Sequence, residues 1–270
     1  MTITFVGVGS ASAKNNASVT PGLPSGLLTG DLMLCFASAR GNGILSVDPL
    51  DQAGMPTQWL TKWQLSHASS GINKIALFYR FYVDGDAGPI IKYAGGASGH
   101  TVIAQVCAFR SVNQSSPFDV QGATSSNASQ ANIGPISGIT TGANGKCVIV
   151  FGHRADDWSL VDTLSGDGLM WNELGEPKST LGNDAGEVWD YTISALGSVT
   201  ITAKTFTVIG GVANYGMGVM QSLNEVVVLT GWRKLQYLTE PPTSGQFNKL
   251  KFASEPPVPS SWNKLLYDGE

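Results

Sequence analysis

Two apolar runs of strand length, 115 positions apart, constrain the fold of this 270-residue chain most strongly. Gly30 and Asp31 precede the first run, residues 32–37, and Gly145 and Lys146 precede the second, residues 147–152. A continuous apolar run of about six residues after a turn signal is typical of a strand buried on both faces. Each run is therefore expected to be a central strand of a sheet.

The same order of candidate strands surrounds each run. The other candidates span residues 2–9, 74–83, 89–93 and 101–110 in the first half, and 186–193, 198–205 and 215–226 in the second. Ala108 and Leu223, near the ends of the last strands, are also 115 positions apart. Pro, Gly or β-branched residues interrupt every window that could form an amphipathic helix.

These patterns predict an all-β fold with a duplicated, jelly-roll-like β-sandwich. The sequence leaves open whether the product is one large sandwich or two tandem β units. We expect the first half to span residues 1–112 and the second residues 113–228, with 111–144 as the crossover. Residues 229–270 form a different region, an extended C-terminal tail that carries five of the 13 prolines.

The tail contains one 15-residue unit three times, each built on Trp/Phe-x-Lys-Leu. Alternation over six residues predicts a short strand, and the Pro-Pro pairs predict extended links between the units. A strand of about six residues cannot bury its own aromatic rings, so it needs a partner surface. We therefore predict that the repeats are an assembly anchor, with contacts made by Trp232, Leu235, Tyr237, Phe247, Leu250, Phe252, Trp262, Leu265 and Tyr267.

Two long segments between strands, residues 41–70 and 155–184, carry most of the remaining tryptophans. Exposed aromatic rings stack on sugars or anchor protein interfaces. The candidates for such a recognition surface are Trp59, Trp63, Trp158 and Trp171. The favoured interpretation is that these rings close the open ends of a sandwich and seal its core, with sugar binding as the alternative.

Composition excludes several classes of function. A net charge of −4 and a pI near 5.4 argue against nucleic-acid binding, which requires a basic face. The N-terminal segment alternates like a strand, and no stretch approaches the ~20 apolar residues of a membrane helix, so we expect neither a signal peptide nor membrane insertion. Cys35, Cys107 and Cys147 lie in apolar runs without metal-type spacing and are expected to be buried hydrophobic residues of a protein made in a reducing cytoplasm.

No catalytic or cofactor-binding motif is found. The densest polar cluster is His153-Arg154-Ala155-Asp156-Asp157, which could supply a base and a carboxylate, but no nucleophile motif accompanies it. A strand end that runs into a solvated turn is the favoured interpretation. Asp84-Gly85-Asp86 lacks the rest of a calcium loop and predicts a turn. A glycan-degrading enzyme would need two converging carboxylates, and no such pair stands out. We expect no enzyme activity, no cofactor and no metal.

The body resembles a group of β-sandwich virion proteins from tailed bacteriophages, found among tail, fibre and head-decoration components. The resemblance rests on Gly30-Asp31-Leu32, on Phe78-Tyr79-Arg80, on residues 108–112 (AFRSV) and on residues 117–119 (PFD). It covers roughly residues 1–228, and the tail units resemble C-terminal repeats of phage structural proteins.

This resemblance implies a non-enzymatic structural role in the virion, at the tail tip, on a fibre or on the head. It further implies a homo-oligomer that contacts other virion proteins. A host-surface glycan is a further possible partner. The alternative function is a carbohydrate-binding module that recognises the host surface.

Overall fold

The computed structural model describes residues 2–15, 18–41, 43–48, 58–67, 73–94, 100–130, 132–143, 145–155, 159–179, 185–193, 198–210 and 214–226. The chain divides into two units, residues 1–228 and residues 229–270. The first unit is called the body. The predicted tail strands and all nine predicted assembly contacts lie outside the described residues.

The described residues are all-β. The first half contains β1 (Thr4–Val8), β2 (Ser12–Asn15), β3 (Leu32–Arg40), β4 (Ile44–Val47), β5 (Leu60–Ser66), β6 (Asn73–Phe81), β7 (Ile91–Ala94) and β8 (Thr101–Arg110). The second half contains β9 (Phe118–Gln121), β10 (Ser125–Gln130), β11 (Ile133–Ile136), β12 (Ile139–Thr140), β13 (Gly145–Arg154), β14 (Leu160–Val161), β15 (Asn172–Gly175), β16 (Lys178–Ser179), β17 (Ala185–Ile193), β18 (Thr200–Ile201), β19 (Lys204–Phe206), β20 (Val208–Ile209) and β21 (Asn214–Asn224). Within these ranges no helix is long and apolar enough to cross a membrane.

Two large antiparallel sheets form the frame of the body. Sheet 1 has the order β1-β8-β3-β6-β5, with β2 also paired to β8. Sheet 2 has the order β10-β21-β13-β17-β15, with β9 paired to β21 and β16 to β17. The two apolar runs of the sequence are the middle strands β3 and β13. Both are buried on both faces because each sheet is covered on both sides.

The inner faces of the two sheets pack against each other around a cluster of aromatic rings. The Phe36 ring of sheet 1 lies 4.9 Å from Phe151 and 5.3 Å from Trp189, both in sheet 2, and 6.1 Å from Trp63 of its own sheet. Leu34 and Leu77 of sheet 1 belong to the same buried cluster. This layer makes the two halves one body.

Smaller ladders cover the outer faces. β4 and β7 lie over sheet 1, where Ala37, Phe78 and Val106 point away from sheet 2. The short pairs β11–β19, β12–β18 and β14–β20 lie over sheet 2 and bury Val150, Val188 and other outward side chains. Alternate residues of each central strand therefore enter an inner and an outer core.

Most of the predicted strands are confirmed, but the connections contain strands that were not predicted. Residues 41–70 hold β4 and β5, residues 155–184 hold β14, β15 and β16, and residues 111–144 hold β9 to β12. The prediction of two long loops and a plain crossover was therefore wrong. Asp84-Gly85-Asp86 does form a turn, with Gly85 at φ +87°, and Asp86 pairs with the buried Arg80. The three cysteines are buried and form no disulfide.

The strand register corrects the spacing between the halves by one residue at the last strand. Met33 pairs with Ala108, and Val148, 115 positions after Met33, pairs with Ser222. Ala108 therefore corresponds to Ser222 and not to Leu223. The correction follows from side-chain direction, because Ala108 faces outward whereas Leu223 lies in the inner core.

Candidate functional site

The described tryptophans do not form an exposed recognition surface. Trp59, Trp63 and Trp171 are only 6%, 7% and 7% exposed, and Trp158 lies outside the described residues. Trp63 fills the layer between the sheets, while Trp59 and Trp171 belong to the two outer cores. The prediction of exposed rings is therefore wrong for these three residues, because the segments that carry them fold back as strands and seal the cores.

The polar cluster at residues 153–157 is also an interior feature where it is described. His153 and Arg154 have no exposed surface, and Asp156 and Asp157 lie outside the described residues. His153 Nδ1 donates to the carbonyl oxygen of Gly186 at 3.1 Å. Burial lowers the pKa of His153 to about 3, so the imidazole is uncharged at neutral pH. With no exposed surface, His153 is closed to a substrate in the described part of the chain.

A polar groove lies on the outer side of sheet 2, with a volume of about 530 Å³. Residues 162–166, after β14, form one wall, and residues 202–207 form the other. β14 and β20 pair at two positions, and the Asp162 N–H then donates to the Thr207 carbonyl at 3.0 Å before the chains diverge. The lining residues are Asp162, Thr163, Leu164, Ser165, Gly166, Thr202, Ala203, Lys204, Thr205 and Thr207.

Lys204 joins the two walls at the base of the groove. It occupies a core-facing position in phase with Phe206 and Val208 and is 6% exposed. Its Nζ lies 2.6 Å from Asp167 Oδ2, donates to the Ser165 carbonyl at 2.8 Å, and lies 5.5 Å from the Trp171 ring centroid. Asp167 also accepts from the Thr202 hydroxyl at 2.9 Å. Desolvation opposes ionisation of Asp167, but these donors outweigh it and lower the pKa of Asp167.

Carboxylates support the wall at residues 162–166 from behind. Asp190 of β17 has no exposed surface, and its Oδ2 accepts the Leu164 N–H at 2.5 Å. Glu176 accepts the Val161 N–H at 3.1 Å. Glu173 of β15 lies opposite Asp190 in the β15–β17 ladder. Burial, followed by repulsion from Glu173 and Glu176, raises the pKa of Asp190 to about 7, although the Leu164 N–H opposes the rise.

The groove is suited to hydrogen bonding with an uncharged, hydroxyl-rich ligand. Five of its ten lining residues are Thr or Ser and carry hydroxyl groups, whereas small-molecule sites are usually lined mainly by apolar groups. Its one cation, Lys204, is neutralised by Asp167, so it does not favour an anion. Asp162 is its one carboxylate, so the lining alone does not supply the acid and base of a glycosidase. Across the described residues, no group of three His, Cys, Asp or Glu side chains could hold a metal ion.

None of these groove residues was predicted as a site. Single Thr and Ser residues form no motif, and the two walls are about 40 positions apart. One signal was present: Lys204 interrupts the buried face of an alternating segment that continues with Phe206 and Val208. A lysine at a core-facing position needs a partner, and that partner marks the groove. Comparison of the chain with family models, curated proteins and solved structures finds no match.

Proposed function

We propose that this chain is a non-enzymatic structural component of a tailed phage particle, at the tail tip, on a fibre or as head decoration. Its body would be a duplicated jelly-roll sandwich. The observation that supports this most strongly is the repeated strand order, β1-β8-β3-β6-β5 in one sheet and β10-β21-β13-β17-β15 in the other. In the first half, the first, eighth, third and sixth strands lie side by side, which is the strand order of one sheet of a jelly roll.

The outer ladders support the same interpretation. In the first half, Val19 pairs with Ile91 of β7, and β7 pairs with β4, which is the neighbour order of a jelly roll's second sheet. In the second half, β14 pairs with β20 as β4 pairs with β7. Jelly rolls are common in viral particles, where a rigid body carries assembly contacts on its surface or its termini.

The tail repeats would be the assembly contact of this proposal, joining the chain to other virion proteins or to further copies of itself. We expect a variant truncated after residue 228 to remain folded but to be missing from purified particles, as measured by mass spectrometry of the particles. A matched variant with Leu235, Leu250 and Leu265 changed to Ser keeps the chain length and is expected to behave in the same way. Normal incorporation of both variants would overturn the anchoring role, and absence of the full-length protein from particles would overturn the virion assignment.

The groove favours a second candidate, a carbohydrate-binding module that contacts a host-surface glycan. Here the recognition surface would be the hydroxyl-lined groove and not the buried tryptophans. Thr205→Ala, inside the groove, is expected to weaken binding on a glycan array, whereas Thr140→Ala, whose hydroxyl bonds to Thr200 away from the groove, is not. No saturable binding by the full-length protein would remove this candidate.

A further inference from the structure

One wall of the groove is attached to sheet 2 through main-chain bonds to carboxyl groups. Two N–H groups of the segment donate inward: Val161 to Glu176 and Leu164 to Asp190. On its amino-terminal side the segment continues from the two-residue β14–β20 ladder. On its other side it enters the turn Gly166-Asp167-Gly168, where all three residues have left-handed φ. Asp162 N–H to the Thr207 carbonyl, Lys204 Nζ to the Ser165 carbonyl and the buried Leu164 side chain hold it as well, so the segment is attached at separate points and not by a long ladder.

Asp190 is the most deeply placed of these attachments. The residue has no exposed surface, and its second oxygen, Oδ1, has no hydrogen-bond partner within the described part of the chain. An ionised carboxylate in that position has one accepted N–H and little else to replace its hydration. A protonated carboxyl avoids this penalty and still accepts the Leu164 N–H.

Two of the charged groups around Asp190, Glu173 and Glu176, increase the cost of its ionisation. Burial is the main cause that raises the pKa of Asp190 to about 7, and Glu173 and Glu176, which approach from the β15 side, raise it further. From β13, Arg154 lies on the same outward face, four residues beyond the partner Val150. From the groove side come Asp162 and the Lys204–Asp167 pair, whose charges cancel each other.

We propose that Asp190 is a pH-operated latch on the groove. Its protonated carboxyl holds residues 161–165 against β17, and its ionisation releases this segment so that the carboxylate reaches water. A carboxyl that is harder to ionise in the closed form must favour an open form once it is ionised. The pKa of Asp190 lies about three pH units above the ordinary Asp value of 3.8, so full ionisation can change the ratio of closed to open protein by up to ~10³-fold. The effect on ligand binding rests on the proposed role of the groove, but the latch itself does not.

Amide hydrogen exchange of the full-length protein tests the latch without any ligand. After correction for intrinsic exchange rates, protection of the Leu164 amide is expected to fall at least 10-fold between pH 5.5 and pH 8.5. The Ile149 amide, in the β13 ladder between β17 and β21, is expected to keep its protection, which separates local release from global unfolding.

Two variants make the test specific. In Asp190→Asn, Leu164 protection is expected not to change with pH, because no group remains to ionise. In Glu173→Gln, the loss is expected to shift to lower pH, because removal of a neighbouring negative charge makes Asp190 ionise more readily. Constant Leu164 protection in the wild type, or an unchanged loss in either folded variant, overturns the latch. A latch that operates in a protein without glycan binding would leave this inference intact and remove only the ligand-binding candidate.

Discussion

Phe36→Ala is the most direct test of the layer between the sheets. The Phe36 ring is fully buried and lies within 4.9–6.1 Å, between centroids, of Phe151, Trp189 and Trp63. Removing a buried phenylalanine costs ~3–5 kcal/mol through lost burial and the cavity that remains. Because three aromatic partners are lost together, we expect a value near the upper end, ~4–5 kcal/mol. That is a large share of the ~5–15 kcal/mol typical of a folded protein.

Urea denaturation followed by tryptophan fluorescence measures this loss, because Trp63 and Trp189 border the deleted ring. Amide exchange then shows whether the two sheets lose stability together, since Phe36 belongs to sheet 1 and two of its partners to sheet 2. We expect equal loss of protection in β6 and β21. Leu28→Ala, at a residue that is 58% exposed, is the control and should change stability by less than ~0.5 kcal/mol. Loss confined to sheet 1, or a cost below ~1 kcal/mol, would refute the inter-sheet core.

Three further predictions concern buried charges. The pKa of Asp190 is higher in the folded protein than its value of 3.8 in the unfolded chain, so the stability of the fold falls as pH rises from about 4 to 7, and the loss is complete above 7. In urea titrations over that range, the stability of Asp190→Asn should therefore increase relative to the wild type by up to ~4 kcal/mol. A difference that stays constant with pH would contradict this. Burial also raises the pKa of Glu187, so Glu187→Gln should gain on the wild type as pH rises in the same titrations, and parallel curves would argue against it. Asp167→Asn leaves Lys204 buried without its carboxylate and should cost ~3–5 kcal/mol of stability. Lys204→Met keeps the packing on Trp171 and should cost less. The reverse order in thermal or urea unfolding would show that the ion pair is not the main interaction between the two walls of the groove.

The strands that could be predicted from sequence are those with a clean pattern. β8 spans Thr101–Arg110, as its alternation indicates, and β3 and β13 extend the two apolar runs. β5, Leu60–Ser66, was missed because it is an edge strand with an irregular register near Trp63, and its exposed face includes a leucine. Edge strands bury only part of one face, so their hydrophobic signal is weak.

The direction of side chains was harder to predict than the position of strands. A tryptophan in a long connection can point to solvent or to the core, and only pairing decides which. Trp63 enters the inner core because β5 pairs with β6, a contact that links positions more than ten residues apart. The one-residue error in matching Ala108 to Leu223 has the same origin. Both faces of a fully buried strand carry apolar residues, so the sequence pattern does not show which residue faces which core.

The groove could not be predicted because it belongs to no segment. Its walls are brought together by the β14–β20 pair, and each of these strands has two residues. A ladder that short has no detectable periodicity. Lys204 alone carried a sequence signal, as a charge in phase with buried neighbours, and the position of its partner Asp167 depends on the intervening turn.

The shared aromatic layer between the sheets has a consequence for synthesis. The inner face of sheet 1, including Phe36 and Trp63, is covered by sheet 2, whose strands follow later in the chain. At about 5–20 residues per second, a ribosome needs roughly 6–23 s to make the second half. Throughout that interval the first half has no partner for its aromatic face. We therefore expect that ribosome-associated chaperones, or a delay in the folding of the first half, protect this surface during synthesis.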